Sequence, residues 1–156
     1  MSWVEAVRID WGTILLFGGG LALGSMAFST GLAGSVGNTV SSWVPSHRAL
    51  PFTILFTCMA AGLSELTSNT ASASMIVPIA IAVSRAAGIS PILPAIGATL
   101  GASVCFMLPI STPPNAIAYS SGHVPIGTMI RYGVGLSVTA CAVIIVMVSV
   151  LGSFLF

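Results

Sequence analysis

The chain has 156 residues, of which 56% are hydrophobic and 4% are charged, and its mean hydropathy is +1.08. Soluble domains carry roughly 25% charged residues, so this composition excludes a soluble domain and predicts an integral membrane protein. The formal net charge of +1 is too small to indicate a nucleic-acid partner.

The first predicted element is a spanning helix over residues 11–28, an apolar run long enough to cross about 30 Å of hydrocarbon. Residues 29–47 are less apolar, and their hydrophobic residues recur at three- or four-residue steps. This pattern favours a helix in the plane of the membrane interface, with a plain connecting loop as the alternative. The range 11–47 is therefore expected to hold a spanning helix and an interfacial segment.

The next predicted element is a re-entrant hairpin over residues 50–87. Two apolar arms, 50–63 and 71–87, flank a polar stretch that contains Glu65. Each arm is short for a membrane span of about 20 residues, so two helices meeting at a polar tip near the bilayer midplane are expected. The alternative is one continuous helix with a polar band, against which Pro78 and Gly88 argue.

A broken helix is predicted over residues 91–121. The apolar run 92–108 is interrupted at 109–115, where Pro113 and Pro114 remove two backbone donors and disfavour helix in the residue before each. The range 125–156 is predicted to be the final spanning helix, with interface anchors at Arg131 and Tyr132. Three cysteines lie far apart in apolar runs and are expected to be packed free thiols: Cys58, Cys105 and Cys141.

Both interruptions are rich in hydroxyl and amide groups, and neither contains a basic residue, histidine or cysteine. Non-helical backbone at membrane depth persists where it lines a cavity or binds a ligand. Oxygen atoms of this kind suit Na⁺, and the N-termini of half-helices suit an oxyanion. Packing serines and a simple proline kink are the alternatives for each stretch alone, but two interruptions in one chain favour a binding site.

The motifs in these stretches resemble the divalent anion/sodium symporter family. The resemblance is carried by SNTASA at 68–73, MLPISTPPNAIAYSSGH at 107–123 and DWGTILLFGGGLAL at 10–23. Members of that family carry dicarboxylates, citrate or sulfate with Na⁺. They contain two inverted repeats, each with a re-entrant hairpin and a broken helix. The resemblance implies an all-α integral membrane fold in which residues 1–156 form one membrane domain, the second repeat only.

The resemblance also implies roles for individual residues and names Na⁺ as the coupling ion. The Na⁺ site would be formed by Ser64, Thr67, Asn69 and the backbone at Ser111. The divalent anion would contact Ser68, Asn69, Thr70, Thr112 and Pro113. The family topology places Arg48 and Arg85 on the outer side. Glu65 is interpreted as an anchor for neighbouring backbone rather than as an ion ligand, although a carboxylate at membrane depth is a functional candidate by default.

Half of the family's substrate cage has no counterpart here, because the chain contains one SNT and one TPPN motif. Three interpretations follow: a C-terminal fragment, a chain that pairs with a first-repeat half, or an inactive relic. Expected partners are a small dianion, membrane lipid, a first-repeat half or full-length protomer, and a second copy in a homodimer. The expected location is the inner membrane of a prokaryote, as a multi-pass protein.

Two other classes of function are alternatives to transport. A non-transporting membrane scaffold or assembly subunit is the main alternative, and it would lack Na⁺-dependent anion binding. An intramembrane hydrolase using a serine and His123 is disfavoured, because no Gly-x-Ser-x-Gly motif is present and no acidic residue lies near His123 in sequence. The chain is therefore not expected to be an enzyme.

Overall fold

The computed structural model describes residues 29–43 and 48–155, together with residues 15, 18, 19, 22, 23 and 25–27. Most of the predicted spanning helix at 11–28 lies outside these residues. The described part is all-helical. Its helices are α1 (Leu32–Trp43), α2 (Ala49–Ser64), α3 (Asn69–Ala86), α4 (Ile92–Gly101), α5 (Pro113–Ser120) and α6 (Ile126–Leu155).

Helices α2 and α3 are the two arms of a helical hairpin, separated by a tight turn at residues 65–68, here called the hairpin turn. The two helices pack against each other, so this region is not one continuous helix. The amides of Leu66 and Thr67 both donate to the carbonyl of Leu63 at 3.0 Å, which closes the end of α2. Ser68 then caps α3 by accepting the amide of Ala71 at 3.2 Å. Helix α3 continues through Pro78.

The connection from α3 to α4 is a glycine-terminated helix end. Gly88 has a φ of +72°, and its amide donates to the carbonyl of Arg85 while the amide of Ile89 donates to that of Ser84. These two bonds form a Schellman motif, in which a residue without a Cβ adopts the left-handed conformation at little energetic penalty. The chain therefore turns sharply after α3, and α4 packs along α2.

Helix α4 ends earlier than the sequence pattern indicates. The apolar run 92–108 is helical only to Gly101, and residues 102–112 form a non-helical segment, here called the break. Pro113 and Pro114 lie in the first turn of α5 rather than inside the break. A proline at the start of a helix is well placed, because the amide it lacks has no partner within the helix.

The core forms where α2, α3 and α4 pack together. Helix α4 approaches α2 closely because two glycines four residues apart, Gly97 and Gly101, face Thr53 and Thr57. The buried apolar residues around this contact include Phe52, Phe56, Ala60, Ala80, Val83 and Ala98. Helix α1 packs on α3, with Gly37 near the carbonyl of Val83.

Helix α6 packs on α2 and α4 along one side. Within the described residues, its Ile126–Gly152 part is the one segment long and apolar enough to cross a membrane, and only 17% of its apolar window is buried. Most of this apolar surface therefore faces outward from the other helices.

Candidate ion and anion site

The centre of the site is a cluster of three oxygen atoms where the hairpin turn meets the end of α4. The hydroxyl of Ser64, which is fully buried, lies 2.6 Å from the carbonyl oxygen of Ala102 and 2.8 Å from Oδ1 of Asn69. Ser64 is the last residue of α2 and Asn69 the first of α3. The end of one hairpin arm, the start of the other and the first residue of the break thus contribute one oxygen each.

A chain of hydrogen bonds continues from this cluster along the break. The thiol of Cys105 donates to Oδ1 of Asn69 at 3.2 Å. The side-chain amide of Asn115 donates to the carbonyl of Cys105 at 3.0 Å and to the hydroxyl of Ser111 at 3.2 Å. The chain therefore links Ser64 at the hairpin to Ser111 before α5.

The middle of the break is held in place mainly by side chains, because backbone hydrogen bonds of the turn type occur only toward its ends, from the amides of Ser103, Val104 and Ser111. The carbonyl of residue 102 accepts from Ser64, and those of residues 105 and 108 accept from Asn115. The carboxylate of Glu65 accepts the amides of residues 106, 107 and 108. Polar backbone groups that would be expensive to bury in a membrane thus have partners in the hairpin turn and in α5.

Glu65 is an anchor for backbone, as interpreted from the sequence. Its side chain is 4% exposed. Oε1 accepts from the amide of Phe106 at 2.9 Å, and Oε2 from those of Met107 and Leu108 at 3.0 and 3.2 Å. The hydroxyl of Ser137 on α6 donates to Oε1 at 3.3 Å. With these donors around it, the carboxylate faces the break and not the Ser64–Asn69 oxygens.

The four residues expected at the Na⁺ site are not equally close together. Ser64 and Asn69 are in direct contact, and Ser111 is connected to them through Cys105 and Asn115. The Thr67 hydroxyl instead pairs with the hydroxyl of Ser72 at 2.8 Å and with the carbonyl of Leu63 at 3.0 Å. The side chain of Thr67 thus joins the two hairpin arms.

The residues expected to contact the anion lie at the starts of two helices. Ser68, Asn69 and Thr70 begin α3, with Ser68 and Thr70 exposed and Asn69 half-buried. Thr112 and Pro113 begin α5, with Thr112 half-buried and Pro113 exposed. In the described residues these two groups are joined by hydrogen bonds only through Cys105 and Asn115. Each group presents hydroxyl or amide functions at a helix N-terminus, where partial positive charge favours an anion.

Three hydrogen-bonding groups of the site were not predicted from the sequence: the Ala102 carbonyl, the Cys105 thiol and the Asn115 side chain. Asn115 belongs to the quoted TPPN motif, so its position was a usable signal. Cys105 lies in an apolar run and was expected only to pack; it is buried and not in a disulfide, but its thiol contacts Asn69. A backbone carbonyl such as that of Ala102 carries no sequence signal.

The donor set suits a hard cation. No group of three or more His, Cys, Asp or Glu side chains suitable for a metal occurs in the part of the chain that the structure describes. Transition metals prefer such imidazole and thiolate ligands, whereas carbonyl, amide and hydroxyl oxygens bind hard ions. The Ser64, Asn69 and Ala102 oxygens are of the second kind.

Comparison with known proteins gives a consistent result over the whole chain. Residues 1–156 match the family described as the sodium:sulfate symporter transmembrane region. The chain is 35% identical over 148 residues to the sodium-dependent dicarboxylate transporter SdcS of Staphylococcus saprophyticus, covering 95% of this chain and 28% of that protein. It is 32% identical over 157 residues to the Na⁺/citrate cotransporter of Rattus norvegicus, covering 100% of this chain and 27% of the cotransporter. The chain thus spans less than a third of the length of these relatives.

Proposed function

The chain belongs to the sodium:sulfate symporter family and is an integral membrane protein, and from this premise we propose that it forms half of a site for Na⁺-coupled transport of divalent anions. The proposal rests on one observation above all. Oδ1 of Asn69 receives the hydroxyl of Ser64 from the hairpin and the thiol of Cys105 from the break. One amide oxygen therefore joins the two interrupted elements, and a ligand at this atom acts on both.

Na⁺ would bind at the oxygen cluster. Ser64 and Asn69 supply side-chain oxygens, and Ser111 and Thr67 add oxygens from the neighbouring backbone. The single hydroxyl proton of Ser64 is within reach of both Asn69 and the carbonyl of Ala102, and the thiol proton of Cys105 points at Asn69. An ion at Asn69 therefore requires the thiol to turn away and Ser64 to direct its proton at Ala102. Ion binding is thereby coupled to the arrangement of the hairpin turn and the break.

The anion would bind between the starts of α3 and α5, against Ser68, Asn69, Thr70, Thr112 and Pro113. None of these residues is basic, and the carboxylate of Glu65 is occupied by backbone amides. A dianion at this place needs compensating positive charge, which bound Na⁺ and the two helix N-termini provide. This requirement explains why anion binding would follow Na⁺ binding. Succinate, citrate and sulfate are all anions to which this charge requirement applies.

The helix lengths support the proposed membrane arrangement. Helix α2 has 16 residues and rises about 24 Å, and α4 has 10 residues and rises about 15 Å. Neither crosses a hydrocarbon core of about 30 Å. We propose that α2 and α3 form a re-entrant hairpin, that α4, the break and α5 form a broken helix, and that a second, inverted repeat supplies the rest of the cage. The proposed location is a prokaryotic inner membrane.

The deciding experiment is uptake of labelled succinate into liposomes driven by a Na⁺ gradient, with an equal K⁺ gradient as control and sulfate as competitor. The chain is reconstituted alone and together with the first-repeat half of a relative. Uptake that needs Na⁺ and the added half is expected. Absence of Na⁺-dependent uptake and of Na⁺-dependent succinate binding in both preparations contradicts the proposal and favours a scaffold.

A further inference from the structure

We propose that Glu65 is a positioning residue of the ion site: it fixes the break so that Cys105 reaches Asn69. The carboxylate contacts three consecutive amides at 2.9 to 3.2 Å, and that of Met107 lies near both of its oxygens. A carboxylate is all acceptor, so it matches three donors that point the same way. Hydrogen bonds to a charged acceptor are shorter and stronger than neutral ones.

The same part of the break is confined from the other side by α6. Gly133 faces it so closely that a Cβ there would lie 2.7 Å from Cα of Met107 and would overlap the carbonyl of Phe106. Ser137, one turn further along α6, donates to Glu65 itself. Residues 106–108 are thus held between the hairpin turn and the final helix.

This confinement acts directly on the oxygen cluster. Glu65 follows Ser64, so two adjacent residues hold the break at two points: Ser64 at the carbonyl of Ala102 and Glu65 at the amide of Phe106. Cys105 lies between these points, and its thiol reaches Asn69. If the second point is released, the segment is free to move and the thiol loses its position.

The test variant is Glu65→Gln, which keeps the length of the side chain. One of its two terminal groups becomes an NH₂ donor facing amide donors, so at least one of the amide contacts is lost. The reporter is Cys105, which is buried, and the internal control is Cys58, which is exposed on α2. The purified chain in detergent is treated with N-ethylmaleimide, and modification of each cysteine is followed by mass spectrometry.

In Na⁺-free buffer, Glu65→Gln is expected to raise the alkylation rate of Cys105 by about tenfold, the equivalent of one charged hydrogen bond, and to leave Cys58 unchanged. A Cys105 rate within about twofold of the unmodified chain, on the same scale, overturns the inference. So does an equal acceleration of Cys105 and Cys141, because a general loss of packing, unlike positioning, affects both.

Should Glu65→Gln fail to fold, Gly133→Ala moves the same segment from the opposite side with Glu65 intact. Its control is Gly135→Ala on the same helix, where a Cβ meets nothing within 4 Å. Faster alkylation of Cys105 in the first variant alone supports the inference, and equal rates in both overturn it. The inference rests on the proposed function only in treating this network as the ion site. If Na⁺ changes the rate of Cys105 alkylation in the unmodified chain no more than K⁺ does, the ion site is wrong, while the Na⁺-free rates still decide the role of Glu65.

Discussion

Asn69 is the residue at which the hairpin turn and the break meet. Its side-chain oxygen accepts from Ser64 and Cys105, and its backbone begins α3. An alanine at this position keeps the helix start but removes the oxygen shared by the two elements. Asn69→Ala should therefore weaken ion binding more than it destabilises the fold.

We expect Asn69→Ala, in a complete transporter carrying this chain, to raise the Na⁺ concentration for half-maximal succinate uptake by about tenfold or more, as for loss of one strong ligand oxygen. The matched control is Asn38→Ala, an exposed asparagine on α1, which should behave as the unmodified protein. Unchanged Na⁺ dependence in the Asn69 variant would show that this oxygen does not contact the ion.

Ser68 and Thr112 precede α3 and α5 at equivalent positions, but only one of them caps its helix. Ser68 accepts the amide of Ala71, whereas Thr112 makes no side-chain cap to its helix in the described structure. Ser68→Ala should lower the free energy of unfolding by about 1 kcal/mol, and Thr112→Ala should leave it nearly unchanged. Both should weaken succinate binding. Thermal unfolding in detergent, with and without succinate and Na⁺, separates the loss of stability from the loss of binding. Equal melting temperatures of the two variants without ligand would contradict the capping argument.

At the scale of the elements, the α2–α4 contact depends on two glycines that meet different parts of one threonine. A Cβ at Gly97 would lie 2.5 Å from the hydroxyl oxygen of Thr57 and 2.9 Å from Cγ2 of Thr53. A Cβ at Gly101 would lie 2.5 Å from the carbonyl oxygen of Thr57. A side chain can rotate or be removed, but a helix backbone cannot move without displacing the whole element.

Gly97→Ala and Gly101→Ala are each expected to destabilise the fold by about 1 to 3 kcal/mol, the usual range for overpacking. Adding Thr57→Ala should recover part of the loss at Gly97, where the clash is with the side chain, and none at Gly101, where it is with backbone. Gly62→Ala, which meets nothing within 4 Å, is the control. Melting temperatures of the single and double variants measure the coupling, and equal recovery at both glycines would contradict the assignment of the two contacts.

The sequence predicts which elements exist better than where they end. The polar residues 64–70 indicated an interruption, and the structure has the turn at 65–68. The end of α4 was not predictable, because Gly101 at its end and Gly97 in its interior are both glycines of the same apolar run. The helix stops where Ser64 and Glu65, almost forty residues earlier, offer partners to the backbone of the break. Likewise, nothing local distinguishes Cys105 from Cys58 or Cys141; only the tertiary fold brings it to Asn69.

At the scale of the whole molecule, the described helices bring their polar interruptions together and leave apolar surface outside. Exposed apolar side chains run along α6, and others lie beside the two interruptions, at Leu66 with 70% exposure and Ile110 with 81%. Surface of this kind is covered by lipid or by more protein. The chain spans less than a third of the length of the relatives it matches, and the apolar surface beside the site is the part that further protein would cover in a complete transporter.

The proposed arrangement fixes on which side of the membrane each connection lies. Both open ends of a re-entrant hairpin lie on one side, so Arg48 before α2 and Arg85 at the end of α3 should face the same compartment. A broken helix crosses the bilayer, so Ser121 after α5 should face the other. All three positions are exposed. If α2 and α3 each crossed the membrane, Arg48 and Arg85 would still face one compartment, but the hairpin turn would lie at the opposite membrane surface.

We therefore expect Arg48→Cys and Arg85→Cys, each in a chain whose native cysteines are replaced by serine, to react with a membrane-impermeant maleimide from one side of sealed, oriented vesicles. Ser121→Cys should react only from the other side. A cysteine at Leu66, exposed in the hairpin turn, should react from neither side at the rate of these three, because a turn near the midplane is reached only through the site. Rapid reaction of Leu66→Cys from the same side as Ser121→Cys would show that α2 and α3 cross the membrane and do not form a re-entrant hairpin. In that case residues 64–70 would lie at a membrane surface, where hydroxyls and amides are solvated by water and need no ion to explain them.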